Sequence, residues 1–118
     1  MKTTTRRRLP RQLADWPGTY HFDNDAEVAT DTCRVMDISR MGVGVEVFGG
    51  TPIDPRGHRV TADIRGPAGG SIGLHMEGEV RNVGLGSSGG VRLGIEFVGL
   101  TDVEQSIVDS LEQMQIAW

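Results

Sequence analysis

Arg59-Val60-Thr61-Ala62-Asp63-Ile64-Arg65 alternates without a break: Val60, Ala62 and Ile64 are apolar, and every residue between them is polar or charged. Successive side chains of an extended strand point to opposite faces, so this pattern describes a strand with one buried and one wet face. The same rhythm returns downstream. Ile72, Leu74, Met76 and Val80 interleave with His75, Glu77, Glu79 and Arg81; Val91, Leu93, Ile95 and Phe97 interleave with Arg92, Gly94 and Glu96. Upstream, Gly42 to Phe48 places Val43, Val45 and Val47 on one face, Glu27 to Ser39 is a longer extended stretch, and Trp16 to Asp23 is short and aromatic. Asp23-Asn24-Asp25 and the run 49–57, rich in Gly and Pro, carry turn chemistry. Six short strands at close spacing predict an all-β fold, an antiparallel sheet that closes on itself and so removes its exposed edges.

The period changes after residue 100. Thr101-Asp102-Val103-Glu104 has the form of a capping box, with Thr101 as N-cap and Glu104 reaching back from the third helical position. Val103, Ile107, Leu111 and Met114 follow at helical spacing. The expected organisation is a single domain: a basic arm over 1–15, a β-barrel over 16–100, and a helix over 101–118 that packs across an open end of the barrel.

With 118 residues the chain has room for one core, and no apolar run approaches the roughly 20 residues that a membrane span needs. The first residues lead into arginines rather than an apolar segment, which is not the form of a secretory signal. The one cysteine, Cys33, has no internal disulfide partner and falls in a strand, where it reads as a small core or interface residue. A cytoplasmic protein with no direct membrane insertion is expected.

Charge is unevenly placed. Residues 1–11 carry Lys2, Arg6, Arg7, Arg8 and Arg11 with no acid, a balance of +5, whereas the rest of the chain has a balance of −9. The body should repel nucleic acid while the arm attracts phosphate, which favours a small anionic ligand held at one place.

Two short motifs sharpen this. Arg7 and Arg11 are spaced R-x-x-x-R, and Asp37-Ile38-Ser39-Arg40-Met41-Gly42 is a D-x-S-x-x-G. Each alone has a plainer reading, the first as a solvated tail and the second as a turn after a strand. Together, in this order and ahead of an all-β pattern, they resemble the ligand-binding signature of PilZ domains, six-stranded antiparallel β-barrels with a C-terminal helix that bind cyclic di-GMP. The resemblance covers nearly the whole chain. It implies a non-enzymatic receptor, without a cofactor or a metal, in which Arg7, Arg11, Asp37, Ser39 and Gly42 contact the nucleotide. It gives Arg6 and Arg8 a secondary part, since arms of the form Arg-Arg-Arg-x-x-Arg favour an intercalated nucleotide dimer. It also implies a further contact from a late strand, for which Arg81 is a candidate. The usual outputs of the family, through a downstream partner protein, are motility, exopolysaccharide synthesis and type IV pili.

The residue types suit that chemistry. A guanidinium fork pairs with phosphate oxygens and can donate two parallel hydrogen bonds to guanine O6 and N7, which lysine cannot. Pro10 biases Leu9 toward extended backbone, so the arm is expected to lie along a surface rather than coil. Asp37 and Ser39, two apart, share a face if the strand persists: the acid to accept from guanine N–H groups or orient an arginine, the hydroxyl to donate to a phosphate or purine. Gly42, lacking Cβ, allows a sharp turn and close approach of a ligand.

Other readings are weaker. Gly84-Leu85-Gly86-Ser87-Ser88-Gly89 spells G-x-G-x-x-G, but a strand follows where a dinucleotide site needs a helix, so it reads as a hairpin loop. His21, His58 and His75 have no metal-ligand spacing, and no nucleophile elbow accompanies Ser39. A nucleic-acid-binding barrel of OB-fold outline would need a basic face and aromatic platforms, against an acidic body and six aromatics in all. A PilZ-like adaptor that works by protein contact without nucleotide is the other alternative.

Overall fold

The computed structural model describes residues 16–23, 30–49, 51–66 and 73–114. Six strands run in chain order: β1 Trp16–Phe22, β2 Asp31–Ile38, β3 Gly42–Val47, β4 Arg59–Arg65, β5 Gly73–Leu85 and β6 Val91–Phe97, followed by helix α1 Asp102–Met114. They form a closed barrel in the order β1-β2-β3-β6-β5-β4, with every pairing antiparallel. The all-β class and the closed six-stranded barrel with one C-terminal helix are as the alternation predicts.

The apolar positions of each strand meet inside. Val60, Ala62 and Ile64 of β4 join Leu74, Met76 and Val80 of β5, Leu93 and Ile95 of β6, and Val43, Val45 and Val47 of β3 in one buried cluster with Trp16, Tyr20, Phe22, Cys33 and Val35. Burial pushes the Cys33 thiol up to about 12, as expected for a sulfur surrounded by side chains rather than water. Tyr20 is also raised to about 12, by burial first and then by nearby Asp31.

Two strands break the alternation. The β2–β3 register shifts between Val35 and Asp37, and the β5–β6 register shifts between Val80 and Asn82. Each is a bulge in which one residue, Met36 or Arg81, is left over. The consequence for β2 is directional. Cys33 and Val35 point inward, and uninterrupted alternation would carry Asp37 inward too. The extra residue returns Asp37 to the outer face and leaves Ile38 buried.

The capping box of α1 forms reciprocally: Thr101 N donates to Glu104 Oε1 at 2.9 Å, and Glu104 N donates to Thr101 Oγ1 at 3.1 Å. The helix contacts β2 and β5, strands on opposite sides of the barrel, and its Val108 and Leu111 enter the core cluster, so it closes one end. The buried stripe differs from the expected one. Val103 is 69 % exposed and Met114 is also exposed, while Val108 is fully buried beside Leu111 and Ile107. The buried stripe is rotated toward 107, 108 and 111, the apolar residues that meet the barrel mouth.

Candidate functional site

The β2–β3 connection is tight. Ser39 N donates to the Gly42 carbonyl at 2.8 Å, and Met41 N donates to Ser39 Oγ at 3.2 Å. Strand β2 therefore stops at Ile38, and Ser39 stands in the turn rather than on a continuing strand. Its hydroxyl oxygen accepts from the turn, so its proton is left to donate outward. Gly42 is already in β3, opposite Glu96. A Cβ there would collide with the Ile95 carbonyl oxygen and stand 3.1 Å from Glu96 Cα. What Gly42 supplies is close approach of β3 and β6, not the sharp turn its position in the motif suggests.

Outside the barrel, next to this turn, lies a cleft of about 510 Å³, within the range of small-molecule sites (roughly 300–1,000 Å³). Asp37, Ser39 and Gly42 all line it, with Arg81, Asn82 and Arg92. Its floor follows from register. Asp37 pairs with Gly44, Gly44 with Gly94, and Gly94 with Asn82. This row crosses four strands, with two side-chain-free residues in the middle and a polar residue at each end. A flat ring can rest on such bare backbone without meeting a Cβ. The two bulges flank the row, one in β2 and one in β5.

Arg92 of β6 was read from sequence only as a wet-face residue. Here its Nη2 donates to Asp37 Oδ2 at 2.5 Å across Gly44. A Cβ on Gly44 would lie 2.9 Å from both Arg92 Nη2 and Asp37 Oδ1, so the glycine leaves the gap in which the pair meets. Asp37 is thus paired with an arginine of the barrel. Arg81, the left-over residue of the second bulge, is exposed on the cleft's far wall. Its Nε donates to Glu96 Oε1 at 2.6 Å and its Nη1 is 3.3 Å from Glu79. The hydrogen bond to Glu96, and then the charge of Glu79, raise its pKa above the ordinary arginine value. Arg6, Arg7, Arg8 and Arg11 lie outside the described residues.

The position of β1 bears on them. Trp16 pairs with Val35, and β1 runs antiparallel to β2. The chain therefore joins the barrel at the end where β2 turns into β3, the end that carries Asp37 and Ser39. Arg11 is five positions ahead of Trp16, at most ~17 Å of extended backbone.

Comparison with known proteins agrees with this architecture. The family model described as PilZ domain matches residues 5–113. This chain belongs to the PilZ domain family. Among solved structures it is similar to the PilZ domain of YcgR from Escherichia coli with c-di-GMP, at 18% identity and a TM-score of 0.59 over 83% of each chain. It is also similar to the Bacillus subtilis inhibitor of motility MotI/DgrA, at 18% identity and a TM-score of 0.60 over 89% of this chain and 50% of that one. YcgR in complex with c-di-GMP, also from Escherichia coli, gives 19% identity and a TM-score of 0.58 over 83% of this chain and 42% of that one. This chain thus spans half or less of those two longer proteins. At such identities the likeness concerns the fold. No curated protein sequence matches the chain.

Proposed function

We propose that this PilZ domain is a cyclic di-GMP receptor and not an enzyme, and that it signals by ordering its arginine-rich arm over the cleft. The reading is supported above all by one relationship: Trp16 joins the barrel opposite Val35, at the rim where Asp37 and Ser39 line the cleft. An arm carrying Arg7 and Arg11 attached there has the length to bring guanidinium groups to phosphates lying on the Gly44–Gly94 floor. One neighbour of the same fold, YcgR, is described with c-di-GMP in two structures, which adds weight to the same ligand here. Four arginines repel one another in the free protein; the two phosphates of one bound nucleotide offset half of that charge, and those of an intercalated pair offset all of it. The surface then formed, part nucleotide and part arm, is what a downstream protein recognises. Motility is one output, by analogy with the motility inhibitor among the neighbours; exopolysaccharide synthesis and pili are others.

In this mechanism Arg7 and Arg11 clasp the phosphates and donate to guanine edges. Ser39 donates to a phosphate or purine acceptor. Arg92, already presented by Asp37, adds a fixed cation at the cleft floor. Arg6 and Arg8 extend the cationic surface and favour a second, intercalated nucleotide. Titration calorimetry with cyclic di-GMP tests this. Arg7→Ala and Arg11→Ala each remove charge-assisted contacts of about 1.5–3 kcal/mol and weaken binding about tenfold or more. Unchanged affinity in both variants would refute the assignment. A stoichiometry near two nucleotides per chain supports the dimer, and near one opposes it.

A further inference from the structure

The hairpin loop between β5 and β6 holds an anion of the chain's own. Val43, Val45 and Val47 of β3 point inward, so Glu46 between them points outward; yet it is only 1 % exposed. The loop folds over it. Glu46 Oε2 accepts from Ser88 N and from Gly90 N, both at 2.9 Å. A Cβ on Gly86 would land on the carboxylate itself, so the loop is shaped to that group. Gly86 N donates to the Gly90 carbonyl at 2.9 Å, and Gly89 takes a positive φ of 93° to complete the turn. The loop that carries the G-x-G-x-x-G run therefore does grip an anion with backbone amides, Ser88 within the run and Gly90 just after it, but the anion is a side chain.

What this does to the cleft follows from register. Glu46 is directly opposite Arg92, and Arg92 is directly opposite Gly84. The clasp thus ties β3 to the hairpin one strand position from the arginine, and two residues beyond Gly90 the chain reaches Arg92. Arg92 has two acids on the same face of β3 and its neighbour: Glu46 across the strand pair and Asp37 across Gly44. Its ion pair is with Asp37, while Glu46 is drawn into the loop. We propose that Glu46 is a positioning residue for the cleft, which by pinning the Gly86–Gly90 loop holds the Arg81–Gly84 wall in place and leaves Arg92 aimed at Asp37 and an incoming phosphate. This rests on the cyclic di-GMP reading for its ligand, but not for its geometry.

The test uses the full chain and separates those two. Gly86→Ala fills the carboxylate's space while leaving every cleft side chain intact; Glu46→Ala removes the carboxylate; Glu46→Gln keeps an oxygen that can accept both amides. Cyclic di-GMP affinity is expected to fall about tenfold in Gly86→Ala and Glu46→Ala, the scale of one charge-assisted contact, and to stay within about threefold of the parent in Glu46→Gln. In parallel, without nucleotide, NMR follows hydrogen exchange at the Ser88 and Gly90 amides and the side-chain resonance of Arg92. Both are expected to change in Gly86→Ala and to be preserved in Glu46→Gln. If the parent protein does not bind the nucleotide, the ligand assignment fails and the NMR measurement alone decides the clasp. Should Glu46→Ala not fold, Gly86→Ala and Ser88→Pro, which removes one donor, carry the comparison. Parental affinity, or an unmoved Arg92 resonance, in a folded Gly86→Ala would overturn the proposal. So would a loss in Glu46→Gln as large as that in Gly86→Ala.

Discussion

Asp37 and Arg92 stand 55 residues apart in sequence and meet across Gly44 on the outer face of the barrel. Both are more than a third exposed, so the pair adds little to stability, roughly 0–1 kcal/mol. In the proposed function its part is to aim a cation at the cleft. Arg92→Ala is therefore expected to leave the chemical-denaturation midpoint nearly unchanged while weakening cyclic di-GMP binding about tenfold. Gly44→Ala should do the same by wedging the two side chains apart, since the added methyl meets only their movable ends. Denaturation and calorimetry on both variants check this; a large loss of stability with intact binding would contradict it.

Gly42 behaves differently, although it is the motif glycine. An added methyl there meets the backbone of Ile95 and Glu96, which can yield only if β3 and β6 separate. Gly42→Ala is expected to cost about 1–3 kcal/mol of folding stability, as overpacking does. Urea unfolding of Gly42→Ala beside Gly44→Ala measures the contrast, and equal midpoints would show that the strand contact is not the reason for the glycine.

The helix offers a third comparison. Leu111 is fully buried at the barrel mouth and Val103 faces solvent. Leu111→Ala is expected to cost about 2–5 kcal/mol, and Val103→Ala to fall within about 0.5 kcal/mol of the parent. Thermal unfolding of the two variants decides it. A reversed order would restore the helix face that the bare spacing suggested.

His75 and Asp63 form an exposed cross-strand pair with Nδ1 2.8 Å from Oδ1. The hydrogen bond that His75 donates to the Asp63 carboxylate raises the His75 pKa above its ordinary 6.5, against a smaller opposing effect of burial. A raised folded pKa means that the stabilisation is fully present below the ordinary value and is lost as pH climbs through the folded one. Because both groups are well exposed, the effect should stay below about 1 kcal/mol. Urea midpoints about one unit below and about two units above 6.5 measure it. Asp63→Asn is expected to remove the pH dependence; its persistence would assign it elsewhere.

The barrel was legible because β4 and β6 alternate cleanly and because Val43, Val45 and Val47 leave no choice of inner face. The site was legible only in part. Asp37, Ser39 and Gly42 are contiguous enough for a motif to expose them, and they line one cleft. Arg92 was invisible as a cleft residue: its partner is 55 positions away, and Asp37 reaches the outer face only through the bulge at Met36, which no periodicity announces. Glu46 was hidden for a similar reason. An acid between two inward valines reads as wet, and only the folded hairpin covers it.

Trp16 opens the strand whose hydrogen bonds to both β2 and β4 make the cylinder whole. Whatever grips the polypeptide just ahead of it also sutures that seam, at the spot where a sheet would otherwise begin to unzip. Under the proposed closure of the arm, occupancy of the cleft would then toughen the entire shell against pulling and proteolysis, with no new packing in its interior.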